Sequence, residues 1–148
     1  MDLIAEKSRG FWYDSLPGKG IVYDLAYVAL SGRDTDERLR AVTALGKSDD
    51  PRAVRPLMDL VVDREPAIRG GAIAALGKLK SGRPVDVLIE RLRDRIELAD
   101  IRQQAAGALA AIRSTGAVRG LRAFAADPDE DPARRSYTAD LLSGLPSW

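Results

Sequence analysis

The sequence contains no cysteine and no histidine. Without cysteine no disulfide can form, and without either residue a zinc site lacks its usual ligands. Acid–base catalysis by histidine is excluded for the same reason. We therefore expect a protein that is not an enzyme and that holds no metal or other cofactor.

Long apolar runs are also missing, and none approaches the roughly 20 residues that a membrane-spanning helix needs. Residues 1–10 carry four charged side chains among few apolar ones, which is unlike a signal peptide. Lys and Arg number 23 against 22 for Asp and Glu, so the whole chain exerts no net pull on nucleic acid or anionic lipid. We expect a cytoplasmic protein that contacts no membrane and for which nucleic acid is not a favoured partner.

Aromatic residues are scarce as well, at 5% of a chain in which apolar residues make up 45%. The core must therefore be built of Ala, Leu and Val. Small Ala side chains let helices approach closely, and Leu side chains fill the spaces between them.

What the sequence does contain is repetition. The segment 68–77 reads Ile-Arg-x-x-Ala-x-x-Ala-Leu-Gly, and related segments lie 31 to 33 residues apart at 37–46, 101–110 and 133–142. A second set of positions recurs between them: Val54, Val85 and Val118; Leu57, Leu88 and Leu121; Asp63, Asp94 and Asp127. Two helices per unit at this period predict a stacked repeat protein.

The pattern resembles the HEAT-like repeat of the phycobilisome-lyase family over residues 35–145. The resemblance is carried by the Arg that opens each first helix, its Ala-Leu-Gly end, and the turn Asp50-Pro51-Arg52-Ala53-Val54. It implies an all-α fold, an α-solenoid or superhelix of stacked antiparallel helix pairs. We predict one domain over 1–148, with an N-terminal cap (1–33), three repeats (34–63, 64–95, 96–128) and a C-terminal half-repeat cap (129–148).

In HEAT-type stacks the second helix of each pair lines the concave side, which is the usual binding surface. With Val54 and Leu57 directed inward, the outer face of these helices shows different chemistry in each repeat. The predicted partner-binding residues are Arg55, Met58, Asp59, Val62, Asp86, Ile89, Glu90, Arg93, Arg119 and Arg122. The alternative is a solvated face in which Met58 and Ile89 are partly packed into the stack.

Arg38, Arg69, Arg102 and Arg134 form one column of the repeat. They could form a ladder for phosphate or acidic partners. We favour a structural role, in which each Arg pairs with a backbone carbonyl or with an Asp of the column Asp63, Asp94 and Asp127.

Both ends of the chain depart from the repeat. Phe11, Trp12 and Tyr13, with Tyr23 and Tyr27, are interpreted as a lid over the first helix pair rather than as an exposed anchor. The last unit has Tyr137 and Asp140 where Ala is expected, and it lacks a second helix. That missing helix leaves an edge through which terminal repeats could form a homo-oligomer.

The leading hypothesis is a non-catalytic scaffold that binds a protein or peptide on its concave face. Met58, Val62 and Ile89 would supply apolar contacts, and Arg55, Arg119 and Arg122 would meet acidic groups. The family name implies an alternative, a bilin lyase or chromophore chaperone. Nucleic-acid binding, as in HEAT-like DNA glycosylases, is a weaker alternative. A metal hydroxylase such as deoxyhypusine hydroxylase needs His–Glu ligand pairs, which this sequence lacks.

Overall fold

The computed structural model describes residues 20–147. This part of the chain contains eight α-helices, one 3-10 turn and no strand. The helices are α1 (Gly20–Ser31), α2 (Thr35–Lys47), α3 (Val54–Leu60, preceded by the 3-10 turn Pro51–Ala53), α4 (Pro66–Leu79), α5 (Val85–Arg93), α6 (Ala99–Ile112), α7 (Thr115–Ala126) and α8 (Pro132–Ser143). None of these helices is long and apolar enough to cross a membrane. The predicted lid residues Phe11, Trp12 and Tyr13 lie outside the described residues.

The helices form two layers. The first-helix layer consists of α2, α4, α6 and α8, in which each helix packs against the next. The second-helix layer consists of α1, α3, α5 and α7, each packed against the first-helix layer. Within the second layer α1 packs on α3 and α5 packs on α7, while α3 and α5 make only marginal contact. The predicted α-solenoid of stacked helix pairs is confirmed.

Helix ends follow local chemistry. Pro66 and Pro132 begin α4 and α8, where a missing N–H costs nothing. The Ser114 hydroxyl and the Asp131 carboxylate each accept a hydrogen bond from the first turn of the helix that follows. At their carboxyl ends α4 and α6 stop at residues with left-handed backbone, Lys80 (φ 56°) and Arg113 (φ 59°).

The repeated apolar columns form the core. Val54 and Leu57 are buried, as are their counterparts in the next two repeats. Gly46, the last residue of the repeated segment 37–46, lies inside α2, and a Cβ added there would sit 2.7 Å from the Cβ of Ala75. The same Cβ on Gly77 would sit 3.0 Å from the Cα of Ala108. These glycines therefore let neighbouring first helices approach each other closely.

The last repeat is shifted by one residue from the predicted register. Arg135, not Arg134, donates from Nε to a carbonyl at the end of the preceding helix, Ala125, at 3.0 Å. Arg102 makes the equivalent bond to Leu92 at 2.7 Å. A shift of one residue rotates a helical side chain by about 100°, given 3.6 residues per turn. The core position equivalent to an Ala is therefore filled by Thr138, which is 1% exposed.

Tyr137 and Asp140, which were predicted to occupy Ala positions, consequently lie elsewhere on α8. Tyr137 is partly buried at the edge of the core, and Asp140 is exposed. The exposed residues of α8 include no large apolar side chain, as expected of a terminal repeat.

Candidate functional site

The structure brings most of the predicted partner-binding residues to the surface of the second-helix layer. Eight of the ten are exposed: Arg55, Asp59, Val62, Asp86, Glu90, Arg93, Arg119 and Arg122. Val62 lies just beyond the end of α3, and the others lie on α3, α5 and α7. Their exposure leaves them accessible to a partner, and their role in binding stays a prediction.

Met58 and Ile89 are placed differently from the other eight. Both are partly buried and pack against the core. Ile89 lies over Gly120, where an added Cβ would sit 2.5 Å from the Ile89 Cδ1 atom. Ile89 therefore helps to hold α5 against α7, in line with the alternative interpretation that these two side chains belong to the stack.

A cleft of about 360 Å³ opens between the carboxyl ends of α3 and α5, the two second helices that make only marginal contact. It is lined by residues of the two loops and of the helices beside them: Val62, Asp63, Arg64, Arg69, Arg91, Asp94, Ile96 and Glu97. Only Val62 belongs to the predicted set. We take this cleft and its rim as the candidate functional site, and call it the α3–α5 cleft.

The floor of the α3–α5 cleft is a guanidinium–carboxylate pair. Arg69 donates from Nε and Nη2 to the two carboxylate oxygens of Glu97, both at 2.8 Å. Its Nη1 donates to the carbonyl oxygen of Asp63 at 2.9 Å. The Glu97 side chain is only 2% exposed and also accepts the Leu98 amide at 2.9 Å. Paired, charge-assisted bonds of this kind fix geometry as well as adding stability.

Two carboxylates that line the cleft have lowered pKa values. Burial alone would raise the pKa of Glu97, but hydrogen bonds from Arg69 and the Leu98 amide, with the charges of Arg69 and Arg91, hold that pKa below its ordinary value. Burial would likewise raise the pKa of Asp63, and its bonds to Arg38 and the Glu65 amide lower it overall. Both carboxylates are therefore charged at neutral pH.

The same pairing recurs along the solenoid. Arg38 donates to Asp63 with the shortest distance 2.6 Å, and Arg102 donates to Glu130 at 3.0 Å. Arg38 and Arg102 each also donate from Nε to a carbonyl at the end of the preceding second helix. The structural role predicted for Arg38, Arg69 and Arg102 is confirmed.

The predicted Asp partners were right for Arg38 only. Asp94 instead accepts the Ile96 amide at 2.9 Å and Arg91 at 3.1 Å. Asp127 accepts the Asp129 amide at 2.9 Å and Arg93 at 2.8 Å. In these two loops the Asp shapes the turn, and a Glu three residues later reaches the Arg of the column.

The sequence does carry a signal that Glu replaces Asp as the partner of the arginine, namely the spacing Asp-x-x-Glu at 94–97 and 127–130. The first loop lacks it because Pro66 begins α4 three positions after Asp63. In the fourth unit Arg134 lies 3.5 Å from Asp131, within its own first turn.

The rim of the cleft is apolar and exposed. Val62 is 63% exposed and Ile96 is 94% exposed, and both line the same opening. Arg64 lies beside them, and no carboxylate within residues 20–147 pairs with its side chain. Single exposed apolar residues are common, but these two lie together at the mouth of one cleft and form a small exposed apolar patch. Ile96 lies in a loop outside the repeated columns, so the repeat pattern did not predict it.

No group of three or more acidic side chains in the described part of the chain is placed to hold a metal ion. The α3–α5 cleft combines a concave surface, a charged floor held in place by hydrogen bonds and an apolar rim. These are properties suited to holding a ligand.

Comparison with known proteins gives two matches. The family model for HEAT repeats matches residues 24–98. Among solved structures, human deoxyhypusine hydroxylase in complex with glycerol is similar, with a TM-score of 0.71 and 27% sequence identity over 83% of this chain. The match spans 43% of the hydroxylase chain. No curated protein matches the sequence.

Proposed function

The chain belongs to the HEAT-repeat family, and from that premise we propose that it is a non-catalytic interaction scaffold that seats a partner peptide in the α3–α5 cleft and along the neighbouring second helices. The observation that carries the proposal is the pair of exposed apolar side chains, Val62 and Ile96, at the mouth of a cleft with a rigid charged floor. A preordered surface of this kind loses little conformational entropy when it binds.

The residues of the cleft predict which peptide it would bind. An apolar side chain of the peptide would cover Val62 and Ile96 at the rim and remove them from water. Arg64 at the rim is exposed and forms no salt bridge within residues 20–147, although its charge helps to lower the pKa of Asp63. Arg55 on α3 makes an exposed pair with Asp59 at 3.6 Å. We therefore expect an extended peptide in which an apolar residue stands next to an acidic one.

Hydroxylase activity of the kind named for the structural neighbour is not part of the proposal. The shared feature is the repeat fold, and the match spans less than half of that enzyme's chain. This sequence contains no histidine, so the His–Glu pairs that we expected of such an enzyme have no counterpart among its residues.

Peptide display on the immobilised protein tests the proposal. Peptides selected on the wild type should share an apolar–acidic pair and should bind at least tenfold more weakly to the double variant Val62→Asp/Ile96→Asp, measured by fluorescence anisotropy. The matched control is Ile21→Asp, which changes an apolar residue that is 68% exposed on α1.

Both changed positions are exposed, so the double variant should keep its fold, and its circular dichroism spectrum should match that of the wild type. Failure to enrich any peptide, or equal binding to the wild type and the double variant, would reject the cleft as the binding site. Met58 and Ile89 are unsuitable for this test because charge at either partly buried position would disturb the stack.

A further inference from the structure

The near-zero net charge of the chain conceals a separation of charge between the two edges of the solenoid. One edge is formed by the turns within helix pairs, at residues 46–52, 77–84 and 110–116, and is called the turn edge here. The other is formed by the loops between pairs, where the carboxylates that pair with Arg38, Arg69 and Arg102 are concentrated; these ion pairs are called the arginine ladder here. First helices run parallel, as the Gly46–Ala75 and Gly77–Ala108 approaches show, so their carboxyl ends meet at the turn edge.

The turn edge carries five exposed cations. They are Lys47, Lys78, Lys80, Arg83 and Arg113. None of them forms an ion pair with a carboxylate of residues 20–147, unlike the arginines of the ladder. The exposed acid of these turns is Asp49, and Asp86 is exposed just beyond them in the first turn of α5, while Asp50 is engaged by Arg52. The edge is therefore positive, and its cations are available.

Folding accounts for only part of this pattern. Cations at the carboxyl end of a helix interact favourably with the helix dipole, which explains Lys47 and Lys78 and also favours the charge of Lys80 and Arg113. Arg83, however, precedes the amino end of α5, where the dipole disfavours a cation. Lys80 and Arg113 hold left-handed backbone that glycine would adopt without strain. The fold therefore disfavours the charge of Arg83, and it disfavours the backbone conformation, though not the charge, of Lys80 and Arg113.

From this placement we infer that the turn edge binds the phosphate backbone of a nucleic acid duplex without reading its sequence. Neighbouring helices pack roughly 10 Å apart, so the three turns span about 20 Å. That distance corresponds to about six base pairs at 3.4 Å per phosphate along one strand. Backbone binding of this kind requires cations and small polar groups and little apolar surface.

The composition of the turns favours duplex over the other polyanions. Residues 46–52, 77–84 and 110–116 contain no aromatic residue, whereas single strands are held by stacking on aromatics. Protein interfaces are anchored by aromatic and large apolar side chains, but the exposed residues of these turns other than the cations are Asp49, Pro51, Gly82, Thr115 and Gly116. The surface is distinct from the α3–α5 cleft and does not depend on it. The inference departs from the expectation, based on net charge, that nucleic acid is not a favoured partner.

The experiment is a titration of a fluorescein-labelled 20-base-pair duplex of mixed sequence with the whole chain, followed by anisotropy at salt concentrations from 50 to 200 mM. We expect dissociation constants on the order of 10 µM at the lowest salt, with affinity falling steeply as salt rises. The triple variant Lys80→Gln/Arg83→Gln/Arg113→Gln should bind at least tenfold more weakly. It should also lose about three units of slope in a plot of log affinity against log salt concentration.

The matched control is Arg33→Gln/Arg40→Gln/Arg95→Gln, which removes the same charge from exposed positions away from the turn edge. Its affinity should stay within about threefold of the wild type, because phosphate contacts are local. Equal losses in the two triple variants would reduce the effect to net charge and overturn the assignment. Tighter binding to a single strand than to the duplex would also overturn it, as would no duplex binding at 50 mM salt. Sedimentation with vesicles rich in phosphatidylserine, in the absence of duplex binding, would assign the edge to a membrane surface instead.

Discussion

At the scale of single residues, Arg69 shows how the repeats are held in register. It lies on α4 and donates to the carbonyl oxygen of Asp63 in the loop before that helix. It also donates two hydrogen bonds to the carboxylate of Glu97 in the loop before α6. One side chain therefore ties α4 to the loops on both sides of its helix pair. Because the Glu97 side chain is almost fully buried, removal of its charge leaves Arg69 without its main partner.

The lowered pKa of Glu97 leads to a prediction about acid stability. A carboxyl whose pKa is lower in the folded chain than in the unfolded chain stabilises the fold above its unfolded value of about 4.3. That contribution is lost as pH falls from there through the folded pKa. Urea midpoints of the wild type should be steady from about pH 7 to 5 and fall below about pH 4.5.

Glu97→Gln should lower the free energy of unfolding at pH 7 by about 1–3 kcal/mol and reduce the loss below pH 4.5. Asp63 should retain part of the acid response, because its pKa is lowered as well. Glu37→Gln, at an exposed position on α2, is the control and should follow the wild type throughout. An unchanged acid response in Glu97→Gln would contradict the role given to this carboxylate.

At the scale of helices, the glycines of the first-helix layer differ in what surrounds them. A Cβ at Gly77 would lie 3.0 Å from the backbone of α6, so Gly77→Ala must push α4 and α6 apart. Gly107 is helical too, but an added Cβ there meets no atom within 4 Å. We expect Gly77→Ala to destabilise the fold by about 1–3 kcal/mol. Gly107→Ala should stabilise it by about 0.5–1 kcal/mol, because Ala has the higher helix propensity.

Thermal unfolding of the two variants beside the wild type measures this contrast directly. The two substitutions add the same methyl group to parallel neighbouring helices, so each controls for the other. Changes of the same sign in both variants would contradict the close approach of α4 and α6.

The helices were predictable from the sequence, and most of the site was not. Val54 and Leu57 recur at helical spacing, and burial of a repeated apolar column follows from that alone. The partner of Arg69 depends on the path of a loop, which no periodicity describes. α6 begins five positions after Asp94, whereas α4 begins three positions after Asp63, and this difference places Glu97 on the arginine. The exposed Ile96 lies in that longer loop, so the cleft escaped the sequence pattern.

At the scale of the whole molecule, stability should decline from the middle of the stack toward its ends. α4 and α6 each pack between two other first helices, whereas α8 packs mainly against α6 and α7. In a repeat array stability is the sum of each unit and its interfaces with neighbours. Amide hydrogen exchange, followed by mass spectrometry of peptides, should therefore be slowest in α4 and α6 and at least tenfold faster in α8. Equal protection of α4 and α8 would show that the chain opens as a single unit.

The spacing of the arginine ladder determines where such an array can be lengthened. Arg69 and Arg102 each find their glutamate 28 positions ahead, beyond the loop that separates one helix pair from the next. A splice made inside a loop, before its glutamate, would leave a buried guanidinium facing whatever loop the graft supplies. A duplicated segment that contains both an arginine and the glutamate 28 positions later keeps the ion pair within itself. A longer chain should therefore be built by inserting segments that each contain one complete arginine–glutamate pair.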